Sequence, residues 1–160
     1  MQNHLTSRNA IMVAPMILVT FGLLLSGLSA KAGSDGRECS NASLHGDYAS
    51  AVKGVILPGP GVSLPLLGVV MTHYDGKGTF TQVDHIIVNG APPSIMWTPG
   101  TGTYHVNADC SGTAQILPST GGFVNLAIVV VREGKEVRAV VAAPFDGPAR
   151  TVASVGNRAE

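Results

Sequence analysis

The chain has 160 residues, enough for one domain together with a processed segment. Ten lysines and arginines balance ten aspartates and glutamates. Arg8 and Lys31 lie in the N-terminal segment, which leaves eight basic against ten acidic residues and a formal net charge of −2. This balance offers no basic patch to neutralise phosphates, so nucleic-acid binding is not predicted.

Residues 1–32 have the organisation of a signal peptide. Arg8 supplies a positive start, residues 11–28 are almost wholly apolar, and Ala30-Lys31-Ala32 fits the small-x-small rule for cleavage. An uncleaved anchor is the alternative, because the apolar run is about long enough to span a bilayer. The cleavage site favours a secreted or periplasmic protein that has no membrane contact after processing.

Residues 33–43 predict a short irregular leader before a domain over residues 44–160. The leader contains Cys39 and a formal glycosylation sequon that begins at Asn41. Cys39 and Cys110 are the two cysteines, and in an exported chain they predict one disulfide, with free buried thiols as the alternative. Closing a loop of about 70 residues should stabilise the fold by roughly 4 kcal/mol in the chain-entropy model.

From residue 47 onward the pattern is one of strands and turns, without a sustained 3.6-residue apolar period. Asp75-Gly76-Lys77-Gly78 is a strong hairpin signal, and the Pro-rich residues 89–100, which include Trp97, predict the longest loop. The predicted strands are residues 47–57, 66–74, 79–88, 101–107, 113–117, 123–132, 137–143 and 149–157.

Eight strands joined mostly by short turns predict an all-β protein, an up-and-down antiparallel barrel, with a sandwich as the alternative. Such a barrel holds packed side chains or one small ligand. An outer-membrane barrel is not predicted, because the fourth and fifth strands are short and aromatic residues, at 5%, cannot form two girdles.

The turn motifs resemble those of a known family. Residues 74–78 (YDGKG), 89–90 (NG) and 102–113 (GTYHVNADCSGT) resemble the FDGKG, NG and GTYTVNxDCTGT pattern of small exported bacterial proteins, mostly uncharacterised. His105 and Ser111 replace the more usual Thr. These proteins are similar to the allene oxide cyclase-like barrels of the calycin group, which implies a small barrel that self-associates as a dimer or trimer. None of the cyclases' catalytic residues matches a position here.

The third predicted strand carries the candidate site. If Phe80 points inward, Gln82 and Asp84 do so too, by the two-residue period of a strand. A carboxylate inside a barrel is costly unless it is paired, which makes Asp84 the candidate catalytic residue. The alternative is that the opposite face, with Val83, is the inner one and Asp84 is solvated.

A ligand-binding set follows from these faces and from the polar or aromatic residues on neighbouring segments. The predicted cavity lining, with Trp97 at the rim, is Phe80, Gln82, Asp84, Tyr104, Asn125 and Trp97. The sixth strand is apolar on both faces, which favours cover by a second subunit or by a loop. No metal site is predicted, because His73 and His85 lie far apart on the predicted hairpin.

The predicted function is binding of a small apolar molecule in the barrel, without a cofactor. One alternative is a cofactor-independent cyclase or isomerase in which Asp84 is the general acid or base. The other is a filled, oligomeric barrel with a structural or interaction role. No Gly-x-Ser-x-Gly nucleophile motif and no phosphate-binding loop is present in the sequence.

Overall fold

A computed structural model describes residues 38–160, which form eight β-strands in sequence order. The predicted signal peptide and the first half of the predicted leader, residues 1–37, lie outside the described residues. Over residues 38–160, no helix has the length and hydrophobicity that a membrane span requires. The strands are β1 (His45–Gly59), β2 (Val62–Asp75), β3 (Thr79–Val88), β4 (Thr98–Val106), β5 (Ser111–Pro118), β6 (Val124–Val131), β7 (Glu136–Phe145) and β8 (Ala149–Arg158).

The eight strands close into one barrel. Each strand pairs antiparallel with the next, and β8 returns to pair with β1, where Tyr48 lies opposite Arg158. Closure pairs both edges that an open sheet of this length would expose. The predicted up-and-down antiparallel barrel is confirmed, and the sandwich alternative is wrong.

Several strands extend beyond their predicted bounds. β2 begins at Val62 because its hairpin with β1 continues to the pair Gly59 and Val62. β4 begins at Thr98, which pairs with Asp84 of β3, so the long loop is shorter than predicted. β6 is an exception, because it begins at Val124, one residue later than predicted.

The burial pattern identifies the inner face of each strand. Along β4, every second residue from Thr98 onward is buried, and the residues between them are exposed. On β3, Phe80 and Gln82 are buried, whereas Val83 is 38% exposed. The face that carries Phe80, Gln82 and Asp84 is therefore the inner one, and the alternative with Val83 inside is wrong.

Two glycines of β4 make room for these side chains. A Cβ at Gly102 would clash with the ring of Phe80, and a Cβ at Gly100 would lie 3.3 Å from Cγ of Gln82. Both β3 side chains therefore extend across the bare backbone of β4, a close approach for which glycine is suited.

The connections between strands lie at two ends of the barrel. We call the end with the β1–β2, β3–β4, β5–β6 and β7–β8 connections the open end. The closed end carries the other three connections, the start of β1 and the end of β8. Four aromatic rings fill the closed end with centroid separations of 5.0–6.5 Å, those of Tyr48, Tyr74, Phe80 and Tyr104.

The segment before β1 seals the closed end. Asn41–Ser43 forms one 3₁₀ turn, and the Asn41 side chain connects the end of β4 with the β2–β3 turn. Its Oδ1 accepts a hydrogen bond from the Val106 amide at 2.8 Å, and its Nδ2 donates to the Lys77 carbonyl at 3.3 Å. A sugar on Nδ2 would displace this amide, so the Asn41 sequon serves the fold in this structure.

The disulfide fastens the same segment to the β4–β5 turn. Cys39 is bonded to Cys110, with their Cα atoms 4.9 Å apart, which confirms the predicted pairing. Next to it, the Cys39 amide donates to the Ala108 carbonyl at 3.1 Å. A disulfide of this kind is typical of proteins that fold in an oxidising, extracellular-like environment.

Candidate ligand-binding cavity

The open half of the barrel encloses a cavity of about 550 Å³. Its floor is formed by Tyr74 and Phe80 of the closed-end ring cluster. The alternative of a filled interior is therefore wrong, because side chains fill only the closed half. Its apolar wall comprises Val52, Leu66, Val70, Ile86, Val88, Ala114, Ile116, Val124, Leu126, Val137, Ala139, Val141 and Val152.

One side of the cavity carries an amide and a carboxyl group together. Gln82 lies opposite Thr72 of β2, and Asp84 lies opposite Thr98 of β4, so four inward polar side chains meet on three neighbouring strands. Gln82 Nε2 donates a hydrogen bond to Asp84 Oδ2 at 3.2 Å. Gln82 follows Phe80 by one inward position on β3, which places this polar patch directly above the floor.

Among residues 38–160, Asp84 is the one acidic residue that lines the cavity. Burial raises the pKa of Asp84 above its usual range, because the apolar surroundings disfavour the charged form. The hydrogen bond from Gln82 and the field of His85 act in the opposite direction and limit the rise. His85 itself lies on the outer face, where Nδ1 is 2.7 Å from the Met96 carbonyl.

The mouth of the cavity is mostly apolar. Its residues come from the upper strand ends and the β3–β4 and β5–β6 connections, namely Leu66, Ile86, Val88, Ala91, Pro92, Pro93, Pro118 and Thr120. Arg150 also borders the cavity, but its guanidinium donates to the carbonyl of Asp146 at 2.7 Å and of Pro148 at 3.3 Å. It also stacks over the Phe145 ring. The cavity is thus polar near its floor and apolar towards its mouth.

Three of the six predicted ligand-binding residues lie together on the cavity wall, namely Phe80, Gln82 and Asp84. Tyr104 also points inward, but it lies in the ring cluster of the closed end, beneath the cavity. Its hydroxyl donates to the carbonyl of Leu44 at 2.9 Å. Tyr104 therefore supports the floor, and the prediction that it lines the cavity was wrong.

Asn125 and Trp97 lie on the outside of the barrel. Asn125 accepts a hydrogen bond from Gln115 Nε2 at 3.0 Å and donates to the Pro144 carbonyl at 2.8 Å. Trp97 is 51% exposed and packs edge-on against His85, with the ring centroids 5.9 Å apart. The predictions that Asn125 lines the cavity and that Trp97 lies at its rim were therefore wrong.

The sequence interpretation missed two of the polar residues in the cavity. Thr72 could have been found, because it alternates with Val70 and Tyr74 along β2 and so shares their inward face. Thr98 could not, because the prolines on either side of it placed it in a predicted loop. Its place on the wall depends on its pairing with Asp84.

Fold and cavity together define a closed eight-stranded antiparallel β-barrel with an internal pocket open at one end. No family model matches the chain, and no curated protein matches it. Among solved structures, a de novo designed fluorescence-activating β-barrel is similar, with a TM-score of 0.46 and 14% sequence identity. That match covers 73% of this chain and 94% of the designed one. The resemblance to the allene oxide cyclase-like family thus depends on the turn motifs alone.

Proposed function

We propose that the protein binds a small, largely apolar molecule inside its barrel. The observation that supports this function is the cavity of about 550 Å³, whose wall is mostly apolar and carries a few polar groups, chiefly those around Gln82 and Asp84. Pockets of this size, mostly apolar with a few convergent polar groups, are typical of small-molecule sites. A ligand of suitable shape would make packing contacts with the apolar side chains that line this cavity.

The test blocks the cavity with a single side chain and uses the next residue as its control. Val141 lines the cavity, whereas Val140 is 52% exposed on the outer face of the same strand. The measurement is titration with N-phenyl-1-naphthylamine, a dye whose fluorescence rises in apolar surroundings. We expect wild type and Val140→Phe to bind alike and Val141→Phe to bind at least about tenfold more weakly, because the new ring occupies the site.

A groove on the outer surface is an alternative binding site for the same dye. It lies across β1, β2, β3 and β8 and includes the exposed side chains of Leu67, Val69 and Val155. Val69→Lys places a charge in this groove without touching the cavity. If Val69→Lys abolishes dye binding and Val141→Phe leaves it unchanged, the proposed internal site is wrong.

Asp84 also supports a second candidate function, a cofactor-independent cyclase or isomerase. Burial raises its pKa, which is the direction of shift found for carboxyl groups that act as general acids in apolar pockets. Against this, the described cavity wall holds no histidine, no lysine and no second carboxyl group to share the proton transfers. Loss of turnover in Asp84→Asn, with dye binding retained, would establish the catalytic role. Of the two functions, ligand binding without catalysis is the better supported.

Self-association is proposed from the same outer groove. Leu67, Val69 and Met71 are exposed in succession on β2, and Val83 and Val155 flank them on β3 and β8. A contiguous apolar patch of this kind marks an interaction surface. Native mass spectrometry should show a dimer or trimer that Val69→Lys converts to monomer. A wild-type monomer at micromolar concentration would contradict the proposal.

Export and kinship with the allene oxide cyclase-like barrels are proposed on separate grounds. The turn motifs at residues 74–78 and 102–113 support the kinship, and the Cys39–Cys110 disulfide supports an oxidising compartment. Mass spectrometry of the protein from its own host tests export, because a cleaved chain should begin at Gly33. An intact N-terminus would contradict cleavage.

A further inference from the structure

The cavity is polar at the end where a ligand would arrive last. Along β3, the inward residues run from Phe80 at the floor through Gln82 and Asp84 to Ile86 and Val88 at the mouth. Successive inward positions are about 6.6 Å apart along a strand. A molecule that enters at the open end must pass the apolar mouth before it meets the amide and the carboxyl group.

The polar patch has capacity to accept hydrogen bonds and no positive charge to hold an anion. Gln82 uses one amide hydrogen on Asp84 Oδ2, which leaves Oδ1 of Asp84 and the amide oxygen as acceptors that face the cavity. Within residues 38–160, the cation on the cavity wall is Arg150, at the opposite end and bound to two backbone carbonyls. An anionic group beside Asp84 would therefore meet a like charge in apolar surroundings.

The floor of the cavity carries a phenol. Tyr74 borders the cavity and is 8% exposed. Burial raises the pKa of Tyr74 above its usual value, so the phenol keeps its proton at neutral pH. The floor therefore offers a neutral hydrogen-bonding group, and Gln82 and Asp84 lie on the wall above it.

We propose that the cavity takes an amphiphile head first, with a hydrogen-bond-donating head group, uncharged or cationic, at Gln82 and Asp84 and an apolar body towards the mouth. This inference rests on the proposed function and specifies its ligand class. It favours alcohols and amines over carboxylic acids of the same chain length. An acid that bound with its tail inward and its carboxylate at Arg150 would have the opposite orientation.

The test compares three probes that differ only in the head group: decan-1-ol, decylamine and decanoic acid. Each competes with bound N-phenyl-1-naphthylamine at pH 8, well above the ordinary pKa of an aspartate. We expect the amine and the alcohol to bind at least about tenfold more tightly than the acid, since a hydrogen bond to a buried charged group is worth roughly one to two factors of ten. In Asp84→Asn, the amine should lose most of this preference and the acid should gain affinity.

A matched variant separates this preference from the general charge of the protein. Asp47→Asn removes a carboxylate from the outer face, where it contacts His73 at 2.7 Å, and should leave the order of the three probes unchanged. If the acid binds tightest and Arg150→Gln abolishes its binding, the head-first orientation is overturned. If Asp47→Asn and Asp84→Asn change the order equally, the role of Asp84 is overturned.

Different results would contradict ligand binding in the cavity and the preference for a head group. If the dye does not bind wild type, or binds Val141→Phe as well as wild type, the proposed function fails and the ligand class fails with it. If the dye binds and Val141→Phe blocks it, but decanoic acid competes as well as decylamine, only the head-group inference fails.

Discussion

The two ends of the barrel are built from the same eight strands but differ in what fills them. At the closed end, four aromatic rings pack together, and the segment before β1 is held by the Asn41 hydrogen bonds and the Cys39–Cys110 disulfide. At the open end, the interior encloses the cavity and the loops are rich in proline and glycine. The difference indicates that one end supplies stability and thereby allows the other to keep a cavity.

Two aspartates nine residues apart, Asp75 and Asp84, show the same division. Asp75 ends β2 at the closed end and accepts hydrogen bonds from three backbone amides, those of Lys77, Gly78 and Thr79. These bonds hold the pKa of Asp75 well below its usual range, whereas burial in the cavity raises that of Asp84. The carboxylate of Asp75 stabilises the fold, whereas the buried carboxyl group of Asp84 reduces stability, which is typical of a functional site.

The largest expected effect comes from removing the disulfide at the closed end. The double variant Cys39→Ser with Cys110→Ser frees a loop whose ends are 71 residues apart. In the chain-entropy model this should lower the free energy of unfolding by roughly 4 kcal/mol. Urea denaturation measures the change. A loss below about 1 kcal/mol would show that the closed end does not depend on the leader segment.

Asn41→Ala should have the next largest effect. It removes the acceptor of the Val106 amide and the donor to the Lys77 carbonyl, both at the closed end. Leaving such groups without a partner costs about 1–3 kcal/mol in unfolding free energy. Asn157→Ala, at an exposed position near the end of β8, is the matched control and should change it by less than about 0.5 kcal/mol. Equal losses would contradict the sealing role of Asn41.

The two aspartates should respond to pH with opposite signs. The folded-state pKa of Asp75 is lowered, so its contribution is present above the ordinary value of 3.8 and is lost as pH falls below it. The folded-state pKa of Asp84 is raised, so its carboxyl group reduces stability as pH rises above 3.8.

Thermal unfolding of Asp75→Asn and Asp84→Asn at pH 3 and pH 7 measures this contrast. Asp75→Asn should be less stable than wild type at pH 7, and the gap should narrow at pH 3. Asp84→Asn should match wild type at pH 3 and exceed its melting temperature at pH 7. A parallel response of the two variants would contradict the placement of Asp84 in the cavity.

The smallest stability effect is expected at the mouth. Pro92 and Pro93 border the cavity from the β3–β4 connection, outside the strand ladders. Replacing both with Ala should lower the unfolding free energy by about 1 kcal/mol or less, mainly because the unfolded chain gains freedom. Dye affinity should fall severalfold, because both residues border the cavity at its entrance. An unchanged dye affinity would show that these prolines have no role in ligand entry.

The sequence predicted the fold well because turn chemistry is local. Asp75-Gly76-Lys77-Gly78 and the turn at Cys110 separate strands whatever lies around them, so the strand number and the disulfide followed. The open or filled state of the interior did not follow, because it depends on how the side chains of eight strands meet. The inner face of β3 did not follow either, because both faces of the strand carry apolar residues. The bare backbone at Gly100 and Gly102 of β4 makes room for Gln82 and Phe80 and so allows their face to be the inner one.

The errors at the candidate site have similar causes. Asn125 alternates with Phe123 along the chain, a pattern that favours an inward Asn125, but the inner face of β6 is the one that carries Val124 and Leu126. The alternation along β4 correctly predicts that Tyr104 points inward. It does not predict how far along the barrel axis the side chain lies, and Tyr104 lies below the cavity. Trp97 lies where the loop before β4 turns outward, and loop direction has no periodic signal in the sequence.

The measurement that tests the central claim most directly is an NMR nuclear Overhauser experiment on the complex with N-phenyl-1-naphthylamine. It reports which methyl groups lie beside the bound dye. If the cavity is the binding site, the dye should show contacts to the methyl groups of Ile86 and Val141 inside the barrel. Contacts to Leu67 and Val69 instead would place the dye in the outer groove and contradict the account.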